Sequence, residues 1–236
     1  FVYDSRNTII DSMIYQSSWG GIKGYSIERL SADGFSNDSS NWVQAAGGYK
    51  HTIGKPNSIN YVKSYPHNSL VINEIMYEAS VSSSEYLEFY NPGMDTVELG
   101  GWYILDEKGE KYNLSDSVFV LPPKEYYLLI ADSILFNKFP NLSTYPNKRT
   151  AGKSDLGLVN TGELILLKDA LGNTIDSLVY SNKWHNQSIN FTQDRSLEKI
   201  NPVINSNDRG NWSTSVNLNG GTPGQINSII TTNSNI

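Results

Sequence analysis

Two glutamates, Glu74 and Glu88, are the side chains of this sequence that come nearest to an acid–base pair. Asn73 and Asn91 lie close to them in the sequence, and paired carboxylates can run acid–base chemistry on a substrate. Both glutamates, however, fall in the middle of runs in which apolar residues recur at every second position. This alternation is typical of β-strands. We therefore expect both side chains to bond to backbone or turn groups of the fold and not to a substrate.

The histidines and serines form no recognisable catalytic motif. His51, His67 and His185 lie in turn-like sequence, and none has a carboxylate or a second histidine at metal-ligand spacing. The Gly-x-Ser-x-Gly pattern of a nucleophile elbow does not occur. The chain has no cysteine, which excludes disulfides and thiolate metal sites. The sequence therefore predicts no enzymatic activity and no cofactor, with calcium as the one ion to consider.

A Ser-Asn-Asp-x-x-Asn-Trp element occurs twice, at residues 36–42 and 206–212. It brings several hard oxygen atoms into a short loop, and calcium prefers such ligands. The same residue types also form turns by accepting hydrogen bonds from their own backbone, and neither loop has the full EF-hand pattern. The turn interpretation is favoured, with calcium as the alternative. The candidate calcium ligands are Asp33, Asn37, Asp38, Asn41, Asn207, Asp208 and Asn211.

The two loops belong to a longer internal repeat. The matched pairs are residues 10–15 with 175–180, 26–29 with 196–199, 36–42 with 206–212, and 57–58 with 227–228. Self-similarity of this kind marks repeated structural units. The middle of the chain, residues 69–165, has no counterpart ahead of Phe1. The sequence therefore predicts the second half of one module followed by a complete second module, as in an array.

The elements that carry these residues are predicted to be β-strands. Period-two alternation runs through most of the chain, and Gly, Pro and Asn turns interrupt it at short intervals, which is the pattern of a β-sandwich. Only residues 133–139 are compatible with one or two helical turns, with Ser133 as the N-cap. We expect Trp102 to lie in the core beside Leu87, Leu129 and Leu166, because an indole buries a large apolar area.

Composition narrows the classes of partner. The net charge of the 236 residues is −6 and no basic stripe is present, so nucleic acid is not an expected ligand. No run of eighteen apolar residues is present, so we expect no membrane insertion. The first residues, Phe1-Val2-Tyr3, include neither an initiator Met nor a signal segment. We interpret the chain as a mature or excised product.

Six motifs in this order resemble the lamin tail domain family, in the form found in bacterial secreted and surface proteins. The motifs are residues 70–77, 85–93, 97–106, 121–123, 176–180 and the closing set at 196–199, 206–208, 211–212 and 220–224. The resemblance covers about residues 69–228, and its second half recurs over residues 1–58. It implies an immunoglobulin-like β-sandwich in a large secreted or surface protein. A fold alone does not define a function.

These observations give one organisation of the chain. Residues 1–63 are the C-terminal half of a lamin-tail-like module, 64–68 a short linker, 69–230 a complete sandwich and 231–236 a polar tail. The partial module exposes strand edges that need cover, either from upstream sequence or from a neighbouring subunit in a filament.

The leading interpretation of function follows from this organisation. We interpret the chain as a non-catalytic structural or adhesive module of an extracellular or cell-surface protein, with neighbouring modules or identical subunits as partners. The alternative is an accessory domain that anchors a larger secreted hydrolase or nuclease.

Overall fold

The protein is built almost entirely of short β-strands in its computed structural model, which describes residues 1–19, 22–60 and 63–230. A single α-helical turn, α1 (Leu135–Lys138), is present in this part of the chain, together with several 3₁₀ turns. The predicted tail at 231–236 lies outside the described residues. The strands are β1 (Val2–Tyr3), β2 (Ile9–Asp11), β3 (Ile27–Arg29), β4 (Trp42–Gln44), β5 (Val71–Met76), β6 (Tyr86–Tyr90), β7 (Val97–Glu98), β8 (Tyr103–Asp106), β9 (Lys111–Asn113), β10 (Val120–Leu121), β11 (Tyr126–Ile130), β12 (Lys148–Thr150), β13 (Leu164–Lys168), β14 (Thr174–Val179), β15 (Leu197–Lys199) and β16 (Trp212–Thr214). The predicted all-β fold class is confirmed.

Two sheets form the sandwich of the second module. One has six strands in the order β12-β11-β6-β5-β15-β16, and the other has four in the order β14-β13-β8-β9. All neighbours in these sheets are antiparallel except β11 and β12, which run parallel. The two sheets are joined across the core where the Asp176 carboxylate of β14 accepts the backbone N–H of Ile72 in β5 at 2.8 Å.

Trp102 lies in the main core, as predicted, with 1% of its surface exposed. Leu87 and Leu129 belong to the same buried cluster, but Leu166 does not, so that part of the prediction is wrong. Successive side chains of a strand point to opposite faces of a sheet. In β13 the residues on either side of it, Ile165 and Leu167, face the core.

Two other features differ from the sequence-based expectation or were absent from it. The carboxylate of Asp132, and not the side chain of Ser133, accepts a hydrogen bond at the start of the helical segment, from Ile134 N at 2.8 Å. The strands β10 and β12 had no alternating pattern to reveal them, because each has only two or three residues. Among the described residues, no helix is long and apolar enough to cross a membrane.

The N-terminal repeat, residues 1–60, forms two separate hairpins in its described parts, 1–19 and 22–60. Strand β1 pairs with β2, and β3 pairs with β4. The first hairpin has the register of β13 and β14: Val2 lies opposite Asp11 as Leu167 lies opposite Asp176. The second has the register of β15 and β16. The boundaries at residues 63 and 68 stay a prediction.

Glycines allow this repeat to approach the second module closely. A Cβ atom on Gly100 would lie 2.3 Å from the carbonyl oxygen of Gly47, and one on Gly48 would lie 2.7 Å from the carbonyl carbon of Ser117. The linker residue Tyr65 packs edge-on against Trp102, with ring centroids 5.2 Å apart. The linker is therefore packed against the core of the second module.

Candidate functional site

Three glutamates form a row across the six-stranded sheet. Glu74 of β5 lies opposite Glu88 of β6 on one side and opposite Glu198 of β15 on the other. All three side chains are fully buried. Glu74 and Glu88 were recognised in the sequence as the candidate acid–base pair, but Glu198 was missed as a member. A signal was available, because the repeat places a mid-strand glutamate at both 28 and 198.

Hydrogen-bond donors from the chain itself surround this carboxylate row. Glu74 accepts hydrogen bonds from the hydroxyls of Tyr86 and Ser196, each at 2.6 Å, and from the backbone N–H of Thr222 at 2.8 Å. Glu88 accepts from Asn73 Nδ2 at 2.8 Å and from Gly224 N at 2.6 Å. The expected structural role of the two glutamates agrees with these contacts.

The loop at residues 220–224 closes over the row. The Thr222 hydroxyl lies between two of the glutamates, 3.1 Å from Glu74 Oε2 and 3.0 Å from Glu198 Oε1. A Cβ atom on Gly221 would lie 2.3 Å from the Tyr86 hydroxyl. Glycine at this position is therefore what lets the loop reach the carboxylates.

Burial changes the acidity of these groups. Removal from water raises the pKa of Glu74, and the neighbouring Glu198 carboxylate raises it further. The pKa of Glu88 is raised well above its usual range, first by burial and then by the charge of Glu74. Carboxyl groups with raised pKa values occur in active sites, but these three carboxylates are fully buried on one face of the sheet, beneath the loop at 220–224.

The histidines lie apart from the carboxylate row. His51 and His67 are exposed, whereas His185 is buried and its Nδ1 lies 2.9 Å from the Thr214 hydroxyl. Burial lowers the pKa of His185 to about 4. No cluster of three or more His, Asp or Glu side chains suited to a metal ion was found in the described part of the chain.

The predicted calcium ligands of the second loop tie that loop to its neighbours. Asn207 accepts a hydrogen bond from Val179 N at 2.7 Å and donates one to the carbonyl oxygen of Ser177 at 2.9 Å. Asp208 caps the following 3₁₀ turn through Gly210 N at 2.9 Å. Asn211 accepts from Asn201 N at 2.8 Å. The Asn and Asp side chains therefore form hydrogen bonds that stabilise the turn and link the loop to neighbouring segments.

The first loop repeats these contacts. Asn37 accepts from Ile14 N at 2.8 Å, and Asp38 caps its 3₁₀ turn through Ser40 N at 2.9 Å. Asn41 accepts from Ser31 N at 2.9 Å. Asp33 is exposed. The calcium interpretation of both loops stays a prediction.

Trp42 and Trp212 occupy equivalent positions, as predicted. Each indole N–H donates to a backbone carbonyl of its own loop, that of Ser36 at 3.0 Å and that of Ser206 at 2.7 Å. Each indole also has a second tryptophan ring 6.3 Å away, Trp19 in the first repeat and Trp184 in the second.

One end of the carboxylate row occurs twice in the chain. We call it the acceptor corner: a buried glutamate that accepts hydrogen bonds from a threonine and a serine hydroxyl. Glu28 is buried in the first repeat and accepts hydrogen bonds from the Thr52 hydroxyl and from both the N–H and the hydroxyl of Ser58. Glu198 makes the corresponding contacts with the hydroxyls of Thr222 and Ser228. The first repeat thus forms this corner without a strand equivalent to β5 beside it in the described residues.

A search of curated proteins found no match to this chain. The family model described as Lamin Tail Domain matches residues 63–182, just over half of the 236 residues. The match ends before β15 and β16, which complete the six-stranded sheet. Because the family model covers more than half of the chain, the chain belongs to the lamin tail domain family.

Proposed function

We propose that the chain is a non-catalytic structural module of a secreted or cell-surface protein, and that it works by packing against neighbouring modules. The observation that carries this proposal is the duplicated corner around Glu28 and Glu198. The same strands, caps and buried acceptor contacts are formed twice in one chain. Repetition of a packing unit is typical of proteins that extend by adding modules.

The chemistry of the polar side chains supports a structural role. The carboxylates that most resemble an acid–base pair are fully buried on one face of a sheet and accept hydrogen bonds from their own chain. A catalytic group must reach the proton that it transfers. Glu74 and Glu88 are fully buried and would reach no substrate without local unfolding. Their contribution is to hold β5, β6 and the loop at 220–224 together.

Labelling of intact cells tests the proposed location. Cells that produce the natural protein are treated with an amine reagent that does not cross membranes, and the labelled lysines are identified by mass spectrometry. We expect labelling of Lys55, which is exposed, and none of Lys199, which is fully buried. Labelling of Lys55 only after lysis would place the protein inside the cell and contradict the proposal.

A further inference from the structure

The N-terminal repeat carries a face that its counterpart in the second module buries. Ile10 and Met13 are 66% and 41% exposed, whereas their counterparts Ile175 and Leu178 are fully buried. The contrast extends to the tyrosines: Tyr15 is 56% exposed and Tyr180 only 2%. We call Ile10, Met13 and Tyr15 the uncovered face. Clustered apolar exposure of this kind marks an interaction site.

The second module shows what lies on this face when it is covered. Its counterparts Ile175, Leu178 and Tyr180 belong to the core between the two sheets. One edge of β15 pairs with β5, so that Leu197 lies opposite Ile75 and Glu198 lies opposite Glu74. In the described residues the equivalent strand β3 pairs with β4 alone.

We infer that the uncovered face and the free edge of β3 bind the N-terminal half of another lamin-tail sandwich, a segment of the type of residues 64–165. This inference rests on the proposed structural role and names the partner that the role needs. The incoming strand would add to β3 by main-chain hydrogen bonds, and its apolar side chains would cover the uncovered face. Strand addition to a sheet edge is an established mode of recognition.

The receiving site is already formed in the chain. Glu28 holds the hydroxyls of Thr52 and Ser58 in the arrangement that Glu198 has beside β5. The Ser36 hydroxyl donates a hydrogen bond to the Asp11 carboxylate at 2.7 Å, as the Ser206 hydroxyl does to Asp176. A preformed site loses little conformational entropy on binding, which favours affinity.

A second copy of these 236 residues does not supply the partner. The 236 residues hold one N-terminal half, residues 64–165, and two segments that can pair with it, the N-terminal repeat and residues 166–229. Exchange of halves between copies therefore leaves, on average, one such segment per copy uncovered. The partner is an N-terminal half from polypeptide outside these 236 residues.

His51 sets a condition on this partner. It stands at the position of Gly221, where a Cβ atom would lie 2.3 Å from the hydroxyl of Tyr86 and 2.8 Å from Glu74 Oε1. The flanking contacts are the same in both copies, since Ser26 N donates to Lys50 O and Ser196 N donates to Gly220 O, each at 2.8 Å. The partner must therefore leave space for the His51 side chain where β6 has the Tyr86 hydroxyl and β5 has the Glu74 carboxylate.

A fusion tests the inference in the full chain. Residues 64–165 are added ahead of Phe1, so that Ile165 joins Phe1 as it joins Leu166 in the second module, and His51→Gly removes the clash. Hydrogen exchange is then measured in β1 and β3, because their counterparts β13 and β15 pair with β8 and β5 of the N-terminal half. We expect exchange at least about 10-fold slower than in the unfused chain, because strand pairing protects amide groups. Unchanged exchange in this fusion would overturn the inference.

Paired variants identify the face. In the fusion, Ile10→Asp with Met13→Asp should abolish the added protection, whereas Ile14→Asp should not. Ile14 is 70% exposed and its counterpart Val179 remains 54% exposed in the complete module, so it is a matched control. All three positions are exposed in the unfused chain, so these substitutions should leave its melting temperature unchanged. Equal loss of protection in both variants would contradict the proposed face.

Two further measurements complete the test. The fusion that retains His51 should show less protection than the His51→Gly fusion, and equal protection would overturn the condition on the partner. The unfused chain should be a monomer by size-exclusion chromatography with light scattering. Self-association that the Ile10→Asp and Met13→Asp changes abolish would make a second copy the occupant and overturn the inference. Neither result depends on where the protein resides in the cell, so the proposed function is tested separately.

Discussion

Glu74 is fully buried and still accepts hydrogen bonds from two hydroxyls and one backbone N–H. Burial of a lone carboxylate is costly, and hydrogen bonds offset part of that cost. The cost that remains is visible in the raised pKa of Glu74 and of Glu88. The same physical rule acts on Glu85, which accepts the backbone N–H of Leu156 at 2.7 Å.

A pH dependence of stability follows from Glu85. Burial raises its pKa from 4.5 to about 7, so the folded protein holds this proton more tightly than the unfolded chain does. The resulting stability is fully present below pH 4.5 and is lost as the pH rises through about 7. We expect the urea midpoint of unfolding to fall between pH 5 and pH 7.5. Glu85→Gln keeps an oxygen acceptor and should reduce this fall, and an unchanged slope in the variant would assign the dependence to other groups.

Removal of the Trp102 side chain tests the core assignment. Trp102 is 1% exposed and packs against Tyr65. We expect Trp102→Ala to lower the free energy of unfolding by about 3–5 kcal/mol, because a large cavity replaces the indole. Phe191→Ala is the control, since Phe191 is 83% exposed, and we expect a change within about 0.5 kcal/mol there. Chemical denaturation of both variants gives the comparison, and a loss below about 1 kcal/mol for Trp102→Ala would contradict the assignment.

At the residue scale, the sequence indicates which side chains are buried where apolar and polar residues alternate over a long stretch, and not where several apolar residues are consecutive. The indole of Trp102 was correctly placed in the core. Leu166 was not, because β13 reads Leu-Ile-Leu-Leu, and four consecutive apolar residues do not show which alternate pair faces inward. Glu198 was missed because its partners Glu74 and Thr222 are 124 and 24 residues away in the sequence. Long-range pairing of this kind is invisible to local patterns.

At the scale of elements, the repeat was the strongest signal in the sequence. It predicted that Trp42 and Trp212 would be equivalent, and their indole contacts confirm this. The structure extends the equivalence to the first residues, because the hairpin of β1 and β2 has the register of β13 and β14. The sequence gives no such indication there, since Phe1, Val2 and Tyr3 share no residue with Leu166, Leu167 and Lys168.

Chelation decides between the two interpretations of the Asn–Asp loops. Asn37 and Asn207 already accept a backbone N–H, and Asp38 and Asp208 cap the turns that follow. We therefore expect excess EDTA to leave the melting temperature unchanged. A calcium ion bound to the native state would stabilise it by mass action. A melting temperature that falls with EDTA and is restored by calcium would establish the calcium site.

At the scale of the whole molecule, the two packed units approach each other closely through backbone atoms. The close approach of Gly47 to Gly100, and of Gly48 to Ser117, leaves no space for a Cβ atom. A glycine pair such as Gly100-Gly101 within a strand pattern is typical of a bulge or a tight bend. The structure gives a second reason for glycine at position 100, the close approach of Gly47. Gly47 lies more than fifty residues earlier in the chain, so a local sequence pattern could not reveal this contact.

Gly48→Ala should therefore separate the N-terminal repeat from the second module. Its Cβ would lie 2.7 Å from the carbonyl carbon of Ser117, and backbone atoms cannot move aside as a flexible side chain can. Gly54→Ala is the matched control, because Gly54 has φ 72° against 78° for Gly48 but nothing within 4 Å of its added Cβ. Both variants carry the same backbone strain, and only one carries the clash. We expect small-angle X-ray scattering to give a larger radius of gyration for Gly48→Ala than for Gly54→Ala. Equal radii would show that the contact tolerates the methyl group and that other contacts hold the two units together.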